Sequence, residues 1–449
     1  MAGRSVAVVG GGLAGLAAAV ELTDNGYEVE LFERSRLLGG RATSFSVGGR
    51  EVDNGQHVFL GCCAEFIAFV ERVNMGHALH VQERFDVLVL RRGFAASRLR
   101  AASLPAPWHL LAAFAGYRHL GLGSKLKVAR ALASSRSKRD RGRCGTFAEW
   151  LAHQGQDEAA LRTFWEPFFV PALNASLEEM ETAEALFVLS TAFLSDARAA
   201  RFGFSTVPLA RIAASAAERL AGVHCSTPVL GFDYSTDGSA VRGIVTAKGR
   251  RAFDAVVLAL TPPQLARLAS GPLREGIPSL DGYRARPIID VHLWHDRGRL
   301  GFDFAALIGS PVQWIFEKAE GYLCCSISAA NEYVLRDTAD LVRLCWDEVT
   351  EIVPGLAGAN LERGWVTRNV EATFSAPPGG ARISGPATAV PNVAVAGSWT
   401  DATWPDTMEA AVRSGRVAAR HIMTNVVKTA VKPEKHGVPI YGAQRSGRG

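Results

Sequence analysis

The chain has 449 residues, of which 48% are apolar and 21% are charged, and its net charge is +5. The composition is globular and the length exceeds what one compact core accommodates, so we expect two domains. The small positive charge is too weak to indicate nucleic-acid binding. The sequence also lacks the roughly 20 uncharged apolar residues of a membrane span, because the nearest segment, 104–122, is interrupted by His109, Arg118 and His119.

The first 33 residues predict a strand, a glycine-rich turn, a helix and a second strand. Residues 6–9 are a continuous apolar run, and residues 10–15 read Gly-Gly-Gly-Leu-Ala-Gly. Apolar residues then recur at helical spacing as far as Asn25-Gly26, and residues 27–32 form the second strand.

This pattern is typical of a dinucleotide-binding fold. Gly10 allows the tight turn, Gly12 lets the backbone approach a pyrophosphate, and Gly15 lets the helix pack closely on the strand. Glu33, 18 residues after Gly15, is placed to bind a ribose. The alternative is a merely glycine-rich turn, and the pattern up to this point fits NAD and FAD equally. The predicted contacts are Gly10, Gly12, Leu13, Ala14, Gly15, Glu33 and Arg34.

A second motif follows at Leu38-Gly39-Gly40-Arg41, with Asp53-Asn54-Gly55-Gln56-His57 shortly beyond. It resembles the second signature of the flavin amine oxidase and phytoene desaturase superfamily, which lies along the pyrophosphate and ribityl chain. The resemblance implies FAD as the cofactor, with contacts from Gly40, Arg41 and Gly55. For Arg41 alone, the alternative is a surface arginine after a turn.

The middle of the chain predicts a substrate domain inserted into this fold. Residues 84–205 are mostly helical in pattern and rich in large apolar side chains, which suits a long apolar tunnel, with helical core as the alternative. The basic run 136–143 is either a solvated loop or a contact to lipid headgroups. Residues 228–260 resemble the superfamily's small β-meander, where Val229 would touch the adenine. Alternating residues within 286–350 predict strands that form the floor of a pocket.

No metal site is expected. The seven cysteines show neither metal-ligand spacing nor a disulfide framework, so we expect reduced thiols in a cytoplasmic compartment. His292 and His295 lack ligand partners at useful spacing and are expected to be hydrogen-bonded or exposed.

Near the C-terminus, a buried-type strand at 392–397 precedes a loop and a helix that Asp406-Thr407 can cap. This segment resembles the C-terminal flavin motif of the same superfamily, which implies contacts from Gly397, Ser398, Thr407 and Met408. The superfamily usually has an acid at the position of Ser398, and Asp401 is the nearby acid that could compensate.

The predicted fold class is therefore α/β. A Rossmann-like, three-layer FAD-binding domain comprises residues 1–83, 206–285 and 354–424, and an inserted α+β substrate domain comprises 84–205 and 286–353. Residues 425–449 lack periodicity and are expected to be a disordered tail.

Within the superfamily, the chain most resembles the squalene-associated FAD-dependent desaturase group, the hydroxysqualene dehydroxylases of bacterial hopanoid synthesis. The resemblance spans about residues 5–422 and is carried by Val52–Cys62, Phe164–Pro167 with Ala172–Asn174, Thr367–Phe374 and Trp404–Glu409. It implies that hydroxysqualene, an apolar C30 isoprenoid, loses its hydroxyl and gains a hydride from reduced flavin N5. It also implies an unidentified electron donor and a cytoplasmic location, either free or at the inner face of the cytoplasmic membrane.

An acid must help the hydroxide to leave as water, and the candidates are His57, Glu166 and Asp53, each with a structural role as the alternative. A carotenoid-type desaturase, which would oxidise a polyene, is the nearest competing function. An amine oxidase is less expected, because the apolar insert offers little to recognise a protonated amine. A non-catalytic prenyl-lipid escort of the same fold is disfavoured by the intact flavin motifs.

Overall fold

The computed structural model describes residues 4–135, 145–275, 277, 280, 282–375 and 385–429. The basic run 136–143 lies outside these residues. The strands are β1 Ser5–Val9, β2 Glu28–Phe32, β3 Ser44–Val47, β4 Arg50–Asp53, β5 Val58–Leu60, β6 Leu79–Val81, β7 Asp86–Arg91, β8 Ser97–Arg100, β9 Phe202–Ser205, β10 Gly222–His224, β11 Val229–Tyr234, β12 Val241–Thr246, β13 Gly249–Ala252, β14 Ala255–Ala259, β15 Arg284–His295, β16 Phe304–Ile308, β17 Trp314–Ala319, β18 Tyr322–Ile327, β19 Leu361–Ser375 and β20 Val393–Ala396. The helices are α1 Leu13–Asp24, α2 Ala64–Arg72, α3 Leu111–Ala115, α4 Leu122–Ser134, α5 Phe147–His153, α6 Glu158–Ala160, α7 Glu166–Leu173, α8 Thr182–Val188, α9 Leu209–Ala217, α10 Pro262–Leu268, α11 Gly271–Glu275, α12 Thr338–Ile352 and α13 Met408–Thr429.

A five-stranded parallel sheet forms the predicted Rossmann-like domain. Its order is β10-β2-β1-β14-β20, and the short apolar strands are buried on both faces, as expected of parallel strands. Helices α1, α2, α9 and α13 cover one face, while the meander β11-β12-β13 and α10 pack against the other. The predicted three-layer α/β architecture is confirmed.

Two helices from opposite ends of the chain meet in this domain, and glycine makes their contact possible. A Cβ on Gly415 of α13 would lie 2.1 Å from the carbonyl oxygen of Ala14 in α1. A Cβ on Gly15 would lie 1.9 Å from the carbonyl oxygen of Gly10. The first of these close contacts fixes α13 against the start of α1.

A second sheet of seven strands, ordered β19-β15-β18-β17-β16-β7-β8, organises the substrate domain. One face of β15, with Ile289, Val291 and Leu293, packs against α12. The other face carries Ile288 and Asp290 and lines a cavity. Helices α4–α8, with π-helical segments at Leu161–Trp165 and Leu189–Leu194, build an aromatic core beside this sheet.

Two predicted boundaries need correction. The domain boundary at residue 354 is too early, since β19 pairs antiparallel with β15 along most of its length and so belongs to the substrate sheet. The predicted tail from residue 425 also starts too early, because α13 continues to Thr429. At neither boundary does the composition of the sequence change in a way that marks it.

Candidate functional site

A cavity of about 950 Å³ lies between the parallel sheet and the substrate sheet. This volume is at the upper end of the about 300–1,000 Å³ typical of small-molecule sites. Residues at the carboxyl ends of four parallel strands line one half: Val9, Phe32, Ala259 and Gly397. Open α/β sheets bind their ligands at this edge.

Two glycine motifs touch each other at this edge of the sheet. The Gly39 N–H donates to the carbonyl oxygen of Gly11 at 2.8 Å. That contact brings Gly40, whose φ is +62°, so close that a Cβ there would lie 3.0 Å from the Cα of Gly12. The N-terminus of α1 opens into the same place, and its first N–H groups have no intrahelical partners. The result is a backbone cradle for an anion.

Glu33 closes one end of the cradle. Its carboxylate accepts hydrogen bonds from the Gly11 N–H and the Ser35 N–H, both at 2.7 Å. These bonds hold the side chain at the end of β2, where it lines the cavity beside Arg34. This position suits a carboxylate that binds ribose hydroxyls.

Arg41 is held in a buried network at the opposite side of the cradle. Its guanidinium donates to both oxygens of Asp406, at 2.8 and 2.9 Å, and to the hydroxyl of Ser398 at 2.8 Å. It also donates to the carbonyl oxygen of Ala372 at 2.7 Å. Burial opposes the charge, but the Asp406 carboxylate outweighs it and raises the pKa of Arg41. The predicted partner of Arg41 was a phosphate, whereas here its main partner is Asp406.

The model of the family described as flavin containing amine oxidoreductase matches residues 13–423. The chain belongs to this family. It is an FAD-dependent oxidoreductase.

Two relatives and one solved structure show what the chain is similar to. Hydroxysqualene dehydroxylase of Zymomonas mobilis subsp. mobilis is 28% identical over 92% of this chain and 97% of the relative. Zeta-carotene desaturase of Solanum lycopersicum is 26% identical over 93% of this chain and 80% of the relative. The structure of putrescine oxidase bound to putrescine aligns with a TM-score of 0.72 at 17% identity, covering 94% of this chain and 99% of that one. The last similarity shows the fold.

The cradle fits the dinucleotide part of FAD. The pyrophosphate in the middle of FAD needs close backbone approach and free N–H groups, and Gly12, Gly40 and the start of α1 provide both. The predicted cofactor contacts that line the cavity are Gly10, Gly12, Leu13, Ala14, Glu33, Arg34, Gly40, Arg41, Gly55, Val229, Gly397, Ser398, Thr407 and Met408. Gly15 does not line it and acts through packing.

Asp401 does not take the place of the acid missing at Ser398. Its carboxylate accepts from the Arg413 side chain at 2.9 Å and from the N–H groups of Thr403 and Trp404, at 2.9 and 3.0 Å. The hydroxyl of Ser398 lines the cavity but is bound to Arg41. In this chain, therefore, Ser398 and the Arg41–Asp406 pair line the cofactor site side by side.

The three predicted acids fall in different places. His57 lines the cavity, with Nδ1 3.1 Å from the carbonyl oxygen of Gly55, and burial lowers its pKa although the Asp53 carboxylate opposes this. Asp53 is outside the lining and joins three elements, accepting from Ser44 at 2.7 Å, from the Leu209 N–H at 3.0 Å and from Lys318 at 3.4 Å. Its contacts are those of a structural residue.

Glu166 also lies outside the cavity lining, and its side chain is exposed at the start of α7. Burial of part of the carboxyl raises its pKa, with the Arg162 charge opposing. Successive helical residues are about 100° apart, so the aromatic neighbours in sequence turn inward while Glu166 turns outward. The prediction of Glu166 as a candidate acid is therefore corrected.

Asp290 was not among the predicted site residues, although it lines the cavity and is 2% exposed. Burial raises its pKa to about 6, against opposing hydrogen bonds from the Ser326 hydroxyl and the Gln56 N–H. A signal was present in the sequence, since Ile289, Val291 and Leu293 alternate with Asp290 along β15. That alternation places a lone carboxyl on the opposite face of the strand from these apolar residues.

Aromatic side chains from both domains line the half of the cavity away from the cradle: Phe168, Phe169, Phe187, Phe193, Phe202, Trp314, Phe316 and Trp404. Trp314 lies at the centre of this group, with ring centroids 5.5 Å from Phe202 and 6.2 Å from Phe168. Its indole N–H is satisfied by the carbonyl oxygen of Pro167 at 3.0 Å, so it presents an apolar ring face. Among the described residues, no three His, Cys, Asp or Glu side chains lie together as metal ligands would.

Proposed function

We propose that the protein catalyses the reductive dehydroxylation of hydroxysqualene to squalene. The observation that carries this proposal is the end-to-end match with hydroxysqualene dehydroxylase, which covers 92% of this chain and 97% of the relative. A second relative of the same name, from Rhodopseudomonas palustris, is 28% identical over 93% of this chain and 97% of its own. Coverage of both chains includes the substrate domain as well as the shared flavin motifs.

The cavity supports this reaction in two ways. Its aromatic half can bind a long hydrocarbon and exclude water, and ring faces stabilise positive charge that develops at an allylic carbon. Its cradle half holds FAD, which supplies a hydride when it is bound in reduced form. The chain thereby positions an alcohol-bearing carbon at the junction of the two halves, and an electron donor of unidentified class would restore the reduced cofactor.

An anaerobic assay tests the proposal. The purified holoprotein is photoreduced, mixed with hydroxysqualene, and extracted for gas chromatography while flavin absorbance is recorded. We expect one squalene for each flavin reoxidised, and no squalene from the oxidised holoprotein. Reduced flavin that persists beside unchanged hydroxysqualene would refute the proposed function.

A carotenoid-type desaturase is the second candidate, favoured by the 26% identity with zeta-carotene desaturase over 93% of this chain. It runs in the opposite redox direction, since the polyene would reduce the oxidised cofactor. Bleaching of the oxidised flavin by zeta-carotene under anaerobic conditions, with no response to hydroxysqualene, would support this candidate instead.

We also propose that the protein contacts anionic membranes through a surface formed by residues 104–134, here termed the apolar surface. Its exposed side chains are Leu104, Trp108, Leu111, Leu122 and Leu126, which are 50–76% accessible. The segment contains Arg118, Lys125, Lys127 and Arg130 but no acidic residue. Lys127 is paired with Asp157 at 3.0 Å, and the remaining basic side chains beside the apolar ones suit an anionic bilayer surface. No helix among the described residues is long and apolar enough to cross a membrane.

Vesicle binding tests the apolar surface. Leu122 and Leu126 are one helical turn apart on α4, and we expect Leu122→Ser/Leu126→Ser to weaken binding to phosphatidylglycerol vesicles roughly tenfold or more, because each buried leucine contributes about 1.5 kcal/mol or more. Leu335→Ser is the control, since Leu335 is 96% exposed and lies elsewhere in the chain. Equal vesicle binding by both variants and the wild type would contradict the proposal.

A further inference from the structure

One carboxyl group in the cavity is buried without a cationic hydrogen-bond partner. Asp290 accepts from the Gln56 N–H at 3.3 Å and lies 3.9 Å from the Cys324 thiol, and the Ser326 hydroxyl also donates to it. All of these donors are neutral. The group faces the cavity from the middle of β15.

Asp290 lies beside the segment that joins the two halves of the cavity. A Cβ on Gly55 would lie 3.0 Å from Oδ2 of Asp290 and 3.6 Å from Cε1 of His57. Both side chains therefore flank the same glycine, which belongs to the predicted flavin contacts and whose φ is +107°. A substrate carbon that meets the cofactor at this junction comes within reach of Asp290.

We propose that Asp290 is the proton donor that converts the departing hydroxyl group of the substrate into water, an assignment that rests on the proposed reductive function. The bond between the allylic carbon and oxygen breaks, and its electron pair stays on oxygen. The carboxyl proton of Asp290 passes to that oxygen, and water leaves. The carbon gains its new hydrogen as the hydride supplied by the reduced cofactor. The Asp290 carboxylate then takes up a proton from solvent. The overall reaction converts the alcohol, one hydride and one proton into the hydrocarbon and water.

Three other carboxyl groups that line the cavity are engaged in hydrogen bonds, and the remaining two, Glu184 and Glu371, lie near the charges of Arg286 and Arg41. Asp406 is paired with Arg41. Glu409 accepts from the Phe66 N–H at 2.8 Å and the Glu65 N–H at 3.3 Å, and so caps α2. Glu33 is held by two backbone N–H groups. Burial raises the pKa of Glu409 in spite of its two backbone donors, but those donors hold its carboxyl at the start of α2, whereas Asp290 lies beside Gly55.

The surroundings of Asp290 favour that proton. Burial outweighs the opposing charge of Lys318 and holds the pKa of Asp290 near 6, so roughly a tenth of the groups are protonated at pH 7. The titratable groups near it on the neighbouring strands and in the 54–57 segment are His57, Lys318, Tyr322 and Cys324, while Cys325 lies on the α12 side of the sheet. Burial also acts on His57, whose pKa it lowers, so that burial disfavours the protonated ring.

The test compares Asp290→Asn with Asp303→Asn, an exposed carboxylate in the same domain. Flavin reoxidation by hydroxysqualene is followed in single turnover from pH 5 to 9. We expect the wild-type rate to fall as pH rises above about 6, the Asp290→Asn rate to be at least about 100-fold lower and independent of pH in this range, and Asp303→Asn to match the wild type. Flavin content and the affinity of the oxidised protein for hydroxysqualene should be unchanged in Asp290→Asn, which separates loss of proton transfer from misfolding.

An infrared titration of the flavin-free protein gives a readout that is independent of turnover. The wild-type spectrum minus that of Asp290→Asn should show a protonated carboxyl band that disappears with a midpoint near pH 6. Absence of this band at pH 5, or turnover by Asp290→Asn within threefold (about the experimental error) of the wild type, would overturn the assignment while leaving the proposed function intact. Lack of squalene formation by the wild type would instead overturn the proposed function, and the Asp290 assignment with it.

Discussion

Replacing Asp406 with alanine is expected to lower the free energy of unfolding by about 3 kcal/mol and to weaken flavin retention. The Asp406 side chain is 5% exposed and accepts two hydrogen bonds from Arg41. It also accepts from the Phe374 N–H at 2.6 Å. Removing one member of a buried pair costs about 3–5 kcal/mol, and the lower end applies because Arg41 is 30% exposed and keeps Ser398 and Ala372 as acceptors.

Denaturant unfolding of the flavin-free protein measures this loss, and flavin fluorescence after dilution measures retention. Asp233→Ala is the matched control, because Asp233 pairs at 3.1 Å with Arg250 on the surface, where side-chain exposures are 36% and 74%. An exposed pair contributes about 0–1 kcal/mol. If Asp406→Ala were no more destabilising than Asp233→Ala, the Arg41–Asp406 network would not be the connection between the cofactor cradle and β19 that its geometry indicates.

The parts of the fold that the sequence predicted well are those whose geometry is local. The strand, turn and helix at residues 5–24 follow from a short apolar run, from glycines at fixed spacing and from helical periodicity. Gly15 meets the backbone of Gly10 in its own motif, whereas Gly12 meets Gly40 of the next motif. The C-terminal strand and helix were predicted from the same local signals, an apolar run and capping residues.

Two of the predicted acids do not line the cavity, because the sequence does not determine the direction of a single side chain. Glu166 has aromatic neighbours on both sides in sequence, yet a helix turns adjacent residues to different faces, and the carboxyl emerges on the exposed face of α7. Asp53 is adjacent to the flavin motif, but it faces Ser44, the start of α9 and Lys318. Nearness in sequence to a motif therefore does not decide whether a side chain enters the cavity.

Asp290 shows the opposite case. It lies 234 residues after Gln56, the residue whose N–H it accepts from, and no local pattern connects the two. The connection arises because β15 lies between β19 and β18 in the substrate sheet, which places its polar face against the flavin motif. The alternation along β15 could identify a carboxyl on the face opposite to α12, but the partner across the cavity requires the tertiary structure.

Asp290→Asn is expected to make the flavin-free protein more stable than the wild type above pH 6, by about 3 kcal/mol relative to their difference at pH 4. The pKa of Asp290 is about 6 in the folded chain, against an ordinary value of 3.8. The folded state therefore binds the proton more tightly than the unfolded state, and wild-type stability falls as pH rises from about 4 to 6. A rise of about two pKa units corresponds to about 3 kcal/mol of unfolding free energy that the wild type loses. Asparagine does not ionise, so the variant keeps this stability.

The measurement is urea unfolding of both proteins at intervals from pH 4 to 8, plotted as the difference in free energy. Subtraction removes the other titrating groups, which the two chains share. If the difference in unfolding free energy between Asp290→Asn and the wild type did not change with pH, the prediction would be wrong. A carboxyl that is 2% exposed and has only neutral hydrogen-bond donors should lose stability when it ionises. A variant that is more stable yet inactive would show that the chain retains this buried acid at the expense of stability, as is common for functional groups.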